Sequence, residues 1–394
     1  MQVLKLLKYL KQLYTNLFTD ITSVPAIFQG SYYPALTGLR GVSTLMVLLA
    51  HFGLNKYLYP HHIYIDARAA VHIFFVLSGF LITTLLLKEK LKYGHINLRY
   101  FYIRRALRIL PVVYLFLLIL IALNYIFKLH ITTINFISSF LFFNNLPLRG
   151  SYYTAHLWSL AVEEQFYLTF PILLMLSTNK YTAVTLPIVI MVPLIAIGGY
   201  FRIPFLYSSH AAVLLTKLCM YAFWKGPVMI LIGSVFSVLL FKRVIRLENI
   251  KANYFLSFIL LLTALVMRAQ NFLFYTKYVS EYLSNILIAF AIILCINKKD
   301  FLSTILSNAI LLRVGVLSYS LYIWQQLFTG YNLWQPYMHG FIGYPLWALI
   351  VLKLVFVFII ANISYYYERK FLRMKDRFEH TRGHNKTISS ANTR

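Results

Sequence analysis

Two ionisable side chains, Arg40 and His51, stand in the first long apolar stretch of the chain, "ALTGLRGVSTLMVLLAHFG" at residues 35–53. They are eleven residues apart, and eleven helical steps of ~100° complete three turns plus about 20°, so a helix presents both on one face. An imidazole can act as a general base, and a guanidinium can stabilise an oxyanion or bind an anion. Because an arginine in the bilayer costs at least ~2.5 kcal/mol, Arg40 is expected to face a cavity or a partner.

A carboxylate that could assist His51 is predicted in "AHLWSLAVEEQFYLTF" at residues 155–170. Of the eleven acidic residues, only Glu163 and Glu164 lie well within a predicted span. A carboxylate beside an imidazole fixes its tautomer and raises its basicity, so we expect His51 to be buried in the bundle beside one of them. Three structural explanations stay open: snorkelling of Arg40 to the inner interface, packing of His51 near the outer boundary, and a glutamate–arginine pair that holds helices together.

Three arginines, Arg104, Arg105 and Arg108, lie in "LRYFYIRRALRILP" at residues 98–111. Arg108 follows the other two by four and three positions, which groups them on one side of a helix at the start of a predicted span. Guanidinium groups suit phosphates and a helix N-terminus adds a positive dipole, so this arginine cluster predicts a site for a polyanionic cofactor. The alternative is that these arginines set the topology and hold anionic lipid.

Other polar side chains within apolar segments indicate a functional site less specifically. Tyr322, Trp324 and Gln325 lie in "VGVLSYSLYIWQQLF", whose polar and aromatic groups wrap around a helix, as in a pocket wall or a set of interhelical hydrogen bonds. Ser78 precedes Gly79 and lacks the G-x-S-x-G frame of a hydrolase nucleophile, which favours helix packing. No histidine pair has the spacing of a zinc site with a third ligand, so we expect no metal.

Membrane-spanning helices must position these residues. With 60% hydrophobic residues, 12% charged residues and a mean hydropathy of +0.70, the chain lies outside the soluble range of about 45–50% apolar and ~25% charged. Apolar runs of about 20 residues, the length that crosses a ~30 Å hydrocarbon core, predict an all-α polytopic transmembrane helical bundle. The ten predicted spans cover residues 36–54, 69–87, 106–128, 156–176, 181–200, 226–241, 252–268, 282–297, 308–329 and 344–367.

The net charge of +26 would suggest nucleic acid on a soluble protein, but its distribution indicates membrane topology. With the N-terminus inside, the cytoplasmic segments hold 25 Lys and Arg and the outer segments hold 9, which places both termini in the cytoplasm. The same rule makes residues 131–144 re-entrant or interfacial rather than an eleventh span. We predict an amphipathic cytoplasmic segment at 1–34, a membrane domain at 35–371 and a basic cytoplasmic tail at 372–394.

Six sequence elements in order resemble a known family. They are "LTGLRGVSTLMVLLAHF", "FFVLSGFLIT", "YIRRALRILPVVYL", "LWSLAVEEQFYL", "SYSLYIW" and "SYYYERKF". The chain resembles the integral-membrane acyltransferase-3 family, bacterial enzymes that O-acylate surface carbohydrates and related acceptors. The resemblance implies that Arg40 and His51 are essential, that the arginine cluster faces acyl-CoA, and that Glu163 or Glu164 belongs to the central site.

Three positions depart from the pattern of that family. Thr37 and His72 stand where an acid is usual, and Gln325 stands where His is frequent. The two missing acids leave Glu163 and Glu164 with more of the role of orienting His51 and make His72 a candidate participant, whereas Gln325 can only hydrogen-bond. With the motif residues added, the predicted substrate pocket comprises His72, Ser78, Trp158, Tyr322, Trp324, Gln325 and Glu368.

The resemblance implies a multi-pass O-acyltransferase of the bacterial inner membrane, embedded in lipid. It would move an acyl group, expected to be acetyl, from acyl-CoA (acetyl-CoA) as co-substrate to a hydroxyl of O-antigen or another surface or lipid-linked glycan. We expect no permanently bound cofactor and no nucleic acid partner. The alternative is a proton-coupled transporter or flippase, which also buries ionisable side chains, although the sequence has no paired inverted repeat. The acceptor, the acyl group, the choice of general base or covalent carrier for His51, and the oligomeric state stay open.

Overall fold

The helices that carry the predicted site residues were located in a computed structural model that describes residues 11–30, 32–148, 150–246, 253–270, 277–296, 300–329 and 345–391. The described residues contain helices, turns and loops and no strand, which confirms the all-α prediction. The helices of eight residues or more that follow the N-terminal segment are α1 Pro34–Phe52, α2 Ala67–Tyr93, α3 Leu98–Phe127, α4 Thr133–Phe140, α5 Leu157–Leu176, α6 Thr178–Tyr200, α7 His210–Lys225, α8 Val228–Phe241, α9 Leu256–Gln270, α10 Lys277–Cys295, α11 Ala309–Trp324 and α12 Leu346–Ala391.

The chain divides into two compact units. Unit 1 comprises Met1–Ile96 and Trp158–Val316. Unit 2 comprises Asn97–Leu157 and Leu317–Arg394. Two of the three boundaries fall inside helices, after the first residue of α5 and halfway along α11, and the third falls just before Asn97, which caps α3.

Most of the predicted spans coincide with apolar helices of sufficient length. Within the described residues, seven helices are long and apolar enough to cross a membrane, and the pair α7 and α8, bent by 73°, makes an eighth if it is one span. The shorter apolar helices α9 and α11 overlap two further predicted spans. The protein is thus a polytopic helical membrane protein, while the number of spans and the side of each terminus stay predictions.

The start of α3 differs from the prediction, and the length of α4 decides how the ambiguous segment 131–144 is assigned. The span expected to start at residue 106 belongs to α3, which begins eight residues earlier because Asn97 caps it by accepting a hydrogen bond from the Tyr100 N–H at 3.1 Å. The ambiguous segment 131–144 contains α4, whose eight residues extend only ~12 Å. This helix is too short to be an eleventh span, in agreement with the topology argument.

The N-terminal segment is attached to unit 1 by hydrogen bonds. Residues 11–18 are helical, whereas residues 1–10 of the predicted amphipathic segment lie outside the described residues. Lys242, directly after α8, donates to the carbonyl oxygen of Thr19 at 2.9 Å and to Asn179 Oδ1 at 2.6 Å. Asn179 in turn donates to Asp20 at 3.0 Å. The N-terminal segment therefore lies against the start of α6 and the end of α8.

The helices α2 and α8 approach each other closely at two glycines. A Cβ on Gly79 would lie 1.9 Å from the carbonyl oxygen of Ile230, and one on Gly233 would lie 1.8 Å from that of Val76. Two hydroxyl pairs, Thr83 with Ser234 and Thr84 with Ser237, bond across the same interface at 2.6 and 2.8 Å. The close helix packing predicted at Ser78 and Gly79 is thus confirmed for Gly79.

Replacing Gly233 by alanine is expected to destabilise unit 1. The new methyl group would overlap backbone and force α2 and α8 apart, at a cost of at least ~1–3 kcal/mol. Gly150→Ala is the matched control, because a Cβ at that position meets no atom within 4 Å. Thermal unfolding of the purified variants, followed by size-exclusion chromatography, measures the difference, and equal stability of the two would contradict the packing described.

Candidate active site

Helix α1 carries both Arg40 and His51, as the eleven-residue spacing predicted. His51 lies in the last turn, and Gly53 ends the helix with a left-handed φ of 103°, its N–H bonded to the Leu49 carbonyl. Arg40 is half-buried, whereas the side chain of His51 is exposed. The expectation that His51 is buried was therefore wrong: the apolar pattern identified the helix but not which of its turns is covered.

Glu163 on α5 makes two hydrogen bonds within unit 1. Its Oε1 accepts from the Ser78 hydroxyl on α2 at 3.0 Å, and its Oε2 accepts from the Tyr167 hydroxyl at 3.4 Å. The sequence left the choice between Glu163 and Glu164 open, and these bonds direct the Glu163 carboxylate toward α2. Ser78 thus has a polar partner in addition to its place beside Gly79.

Aromatic rings connect α2 with α5 one turn away from this carboxylate. The Phe75 ring lies edge-on to Trp158 with ring centroids 5.8 Å apart. The ring of His72 stacks near Phe75, with centroids 6.2 Å apart and an interplanar angle of 25°. Unit 1 therefore brings together four of the predicted residues, His72, Ser78, Trp158 and Glu163, along the contact between α2 and α5.

A buried charged cluster around His72 was missed by the sequence analysis. Arg268 at the end of α9 forms ion pairs with Asp66 at 3.1 Å and with Glu281 at 3.4 Å. The prediction placed Glu281 in an outer loop, but it lies on α10 and is 3% exposed. Glu281 is therefore a further buried carboxylate on an apolar helix, close to the start of that helix. Signals from one sequence could not have paired residues that lie more than 200 positions apart.

The arginine cluster lies on α3 in unit 2. Arg104, Arg105 and Arg108 are half-buried, and the guanidinium of Arg105 lies 5.9 Å from the ring centroid of Phe101. Since α3 begins at Leu98, the arginines stand about two turns inside the helix rather than at its first residues. The helix dipole acts within the first turn, so the predicted contribution of the N-terminus to anion binding is lost and the three charges remain.

An aromatic group in unit 2 surrounds the "SYSLYIW" motif. Trp324 and His156 each lie 5.5 Å from the ring centroid of Phe116, and His156 lies 5.6 Å from that of Tyr322. The Tyr322 hydroxyl donates to the His156 carbonyl oxygen at 2.7 Å. These contacts bring Tyr322 and Trp324 together with a histidine that lies just before α5.

The two remaining pocket candidates of unit 2 are buried. Gln325 follows directly after α11 and is fully buried, and Glu368 on α12 is 4% exposed. The Glu368 carboxylate accepts a hydrogen bond from the Ser320 hydroxyl at 3.4 Å. A carboxylate this deep in an apolar helix requires such partners, since a bare charge would be strongly disfavoured there.

The predicted residues therefore form two groups. Unit 1 has an exposed imidazole, a half-buried guanidinium and a hydrogen-bonded carboxylate, the groups that proton transfer and anion stabilisation use. Unit 2 has a cationic cluster suited to phosphates and an aromatic and polar group. Among the residues that the structure describes, no group of three or more His, Cys, Asp and Glu side chains could hold a metal ion.

Comparison with known proteins identifies the class to which this helical bundle belongs. Residues 33–366 match the family model described as an acyltransferase domain. The match covers most of the chain, and the chain belongs to the acyltransferase-3 family. The resemblance drawn from the six sequence elements is thereby confirmed.

Individual relatives are similar over part of their length. A provisionally named O-acetyltransferase of Staphylococcus aureus (strain COL) is 30% identical over 317 residues, which are 74% of this chain and 50% of the relative. The O-acetyltransferase OatA of Staphylococcus aureus (strain NCTC 8325 / PS 47) is 25% identical over 378 residues, 90% of this chain and 60% of the relative. The chain thus spans about half the length of these curated relatives. No solved structure matches it.

Proposed function

We propose that this protein is a multi-pass O-acetyltransferase of a bacterial inner membrane that transfers the acetyl group of acetyl-CoA to a hydroxyl of a cell-surface carbohydrate. The observation that carries the proposal is the match of residues 33–366 to the family of acyltransferase domains. The names of the relatives support acetyl as the group and oxygen as the acceptor atom. The proposed acceptor is O-antigen or another lipid-linked glycan. The protein itself is embedded in membrane lipid.

In the proposed reaction, His51 takes the proton of the acceptor hydroxyl while the hydroxyl oxygen attacks the thioester carbonyl. The C–S bond then breaks, an ester forms, and the proton passes to the departing CoA sulfur. The resemblance of the segment that carries Arg40 and His51 to the acyltransferase-3 family supports this role. General-base catalysis of this kind contributes about 10²–10⁴-fold, and positioning and oxyanion stabilisation supply the rest.

Two further groups have proposed roles. Glu163 provides the negative charge that orients the base and stabilises the imidazolium formed during proton transfer, and its bonds to Ser78 and Tyr167 hold the carboxylate in place. Arg40 is proposed to stabilise the oxyanion, as an arginine is able to do in a site of low polarity. Glu164 is the less favoured of the two carboxylates.

The arginine cluster is proposed to bind the phosphates of acetyl-CoA. The double variant Arg104→Gln with Arg105→Gln is expected to raise the KM for acetyl-CoA about tenfold or more with little change in kcat, because it removes charge-assisted hydrogen bonds to phosphate. Arg99→Gln is the matched control, since Arg99 is an exposed arginine of the same helix outside the cluster. Steady-state kinetics with varied acetyl-CoA gives the comparison, and an unchanged KM in the double variant would assign the cluster to topology.

Loss of the protein tests the proposed function in the cell. In a strain that naturally carries this chain, deletion is expected to remove O-acetyl groups from one surface polysaccharide, and the wild-type gene is expected to restore them. Proton NMR and mass spectrometry of the purified polysaccharides measure the acetyl content. Surface polysaccharides of identical acetyl content in the parent and deletion strains would contradict a carbohydrate acceptor.

A further inference from the structure

The buried cluster of unit 1 surrounds a histidine to which the proposed reaction gives no role. His72 on α2 is 4% exposed, and its nearest polar neighbours are Arg268 from α9 and Asn285 from α10, which are 6% and 0% exposed. Buried polar groups at this density require specific hydrogen bonds, so the arrangement of donors and acceptors around His72 can be deduced.

The charge of Arg268 is balanced by two carboxylates. Its Nε and Nη2 donate to Asp66 Oδ2 at 3.2 and 3.1 Å, and Nη2 also donates to Glu281 Oε1 at 3.4 Å. Asp66 in addition caps α2 by accepting from the Arg68 N–H at 2.9 Å. The guanidinium is therefore held from two sides, and its remaining nitrogen Nη1 is directed at His72.

The contacts of His72 fix its tautomer. Nδ1 lies 3.0 Å from Arg268 Nη1 and 3.0 Å from Asn285 Nδ2. A guanidinium nitrogen can only donate, so Nδ1 must be the acceptor of this hydrogen bond. The Asn285 amide nitrogen also donates to the Glu281 carbonyl oxygen at 2.5 Å, which orients the amide with its N–H groups toward the histidine. The ring proton therefore lies on Nε2.

A histidine held in this tautomer is a fixed hydrogen-bond donor and not a base at Nε2. His72 lies six residues before Ser78 on α2, ~9 Å along the helix axis, and Phe75 connects its ring to Trp158 on α5. Sites for small polar ligands combine aromatic side chains with a few fixed polar groups, and sugar hydroxyls and ring oxygens accept hydrogen bonds from such donors.

We propose that Arg268 and Asn285 are positioning residues that hold His72 with its proton on Nε2, where it donates a hydrogen bond to an oxygen of the carbohydrate acceptor. This inference rests on the proposed function and adds a residue that selects a hydroxyl-rich substrate.

Two substitutions of His72 separate this role from a structural one. The amide nitrogen of His72→Gln reaches about the position of Nε2 and can still donate, but leaves Arg268 and Asn285 without their acceptor. His72→Asn places an acceptor near the position of Nδ1 and has no group at Nε2. We expect His72→Gln to keep acetyl transfer within about tenfold of wild type, and His72→Asn to lower kcat/KM for the acceptor by about 10–100-fold with an unchanged KM for acetyl-CoA.

The stability of the variants is expected to follow the opposite order, because His72→Asn preserves the acceptor that the buried Arg268 requires. Full-length protein in lipid nanodiscs is used for thermal unfolding and kinetics. If His72→Asn retains transfer while His72→Gln loses it, or if both retain it equally, the donor role is wrong and the cluster is structural. If the wild type transfers no acetyl group to any acceptor, the proposed function itself fails.

A spectroscopic measurement tests the tautomer without any activity assay. In ¹⁵N spectra of protein labelled at histidine, the His72 signals are those absent from His72→Gln. We expect an unprotonated Nδ1 and a protonated Nε2 in wild type. We expect this fixed pattern to be lost in Arg268→Lys, whose compact ammonium group lacks the planar fork that reaches the two carboxylates and His72 together. A protonated Nδ1 in wild type would overturn the inference whatever the kinetics of the variants.

Discussion

Replacing His51 by alanine is expected to lower acetyl transfer by about 10²–10⁴-fold, the range that general-base catalysis contributes. The side chain is exposed in the last turn of α1, so its removal leaves no cavity in the core, and the variant is expected to fold like wild type. The rate of CoA release in the presence of acceptor, measured on purified protein, gives the effect. A covalent acyl carrier at His51 would give a similar or larger loss.

His61→Ala is the matched control for this experiment. His61 is also exposed and lies in the loop after α1, within the short helix Tyr59–His61 and outside the predicted site. It is expected to retain wild-type transfer. If His51→Ala transfers acetyl groups within about twofold of this control, His51 is neither the base nor the carrier, and the proposed mechanism is wrong.

Removing the charge of Glu163 is expected to have the second largest effect. Glu163→Gln keeps the shape of the side chain and an oxygen that can accept from Ser78, so helix packing is preserved. The loss of the negative charge is expected to lower kcat by about 10²-fold, because the imidazolium formed in the transition state loses its stabilising partner. The KM for acetyl-CoA is expected to change little.

Glu164→Gln distinguishes the two neighbouring carboxylates. The bonds of Glu163 to Ser78 and Tyr167 favour it as the functional one, so the effect of Glu164→Gln on kcat is expected to be the smaller. Both variants are compared by single-turnover kinetics with labelled acetyl-CoA. A full loss in Glu164→Gln together with normal transfer by Glu163→Gln would reverse the assignment.

The sequence predicted the helical elements well because length and hydropathy determine which segments cross a bilayer. Arg40 and His51 fall on one helix as their spacing required, and the small residues beside Ser78 mark a close helix contact. Boundaries were less predictable: the arginine cluster was assigned to the entrance of a span, whereas the cap at Asn97 extends α3 outward and includes it. Single capping bonds decide such ends.

Contacts between distant segments could not be predicted. The cluster of Asp66, His72, Arg268 and Glu281 joins parts of the chain that are about 200 residues apart, and the pattern around each member does not reveal its partners. The exposure of His51 was missed for a related reason, since the pattern of one helix does not reveal what covers each of its turns. The hydrogen bond between Glu163 and Ser78 likewise joins two helices whose contact the sequence does not reveal.

The central claim is that this protein moves an acetyl group from acetyl-CoA to a hydroxyl, and the most direct test is to follow both products at once. Purified protein in lipid vesicles is given acetyl-CoA with a labelled acetyl group and a surface-glycan acceptor, and free CoA thiol and labelled ester are measured together. We expect equal amounts of the two products with wild type, and both lowered together by at least about 100-fold with His51→Ala. Passage of labelled substrate across the vesicle membrane without release of CoA would contradict the claim and identify a transporter.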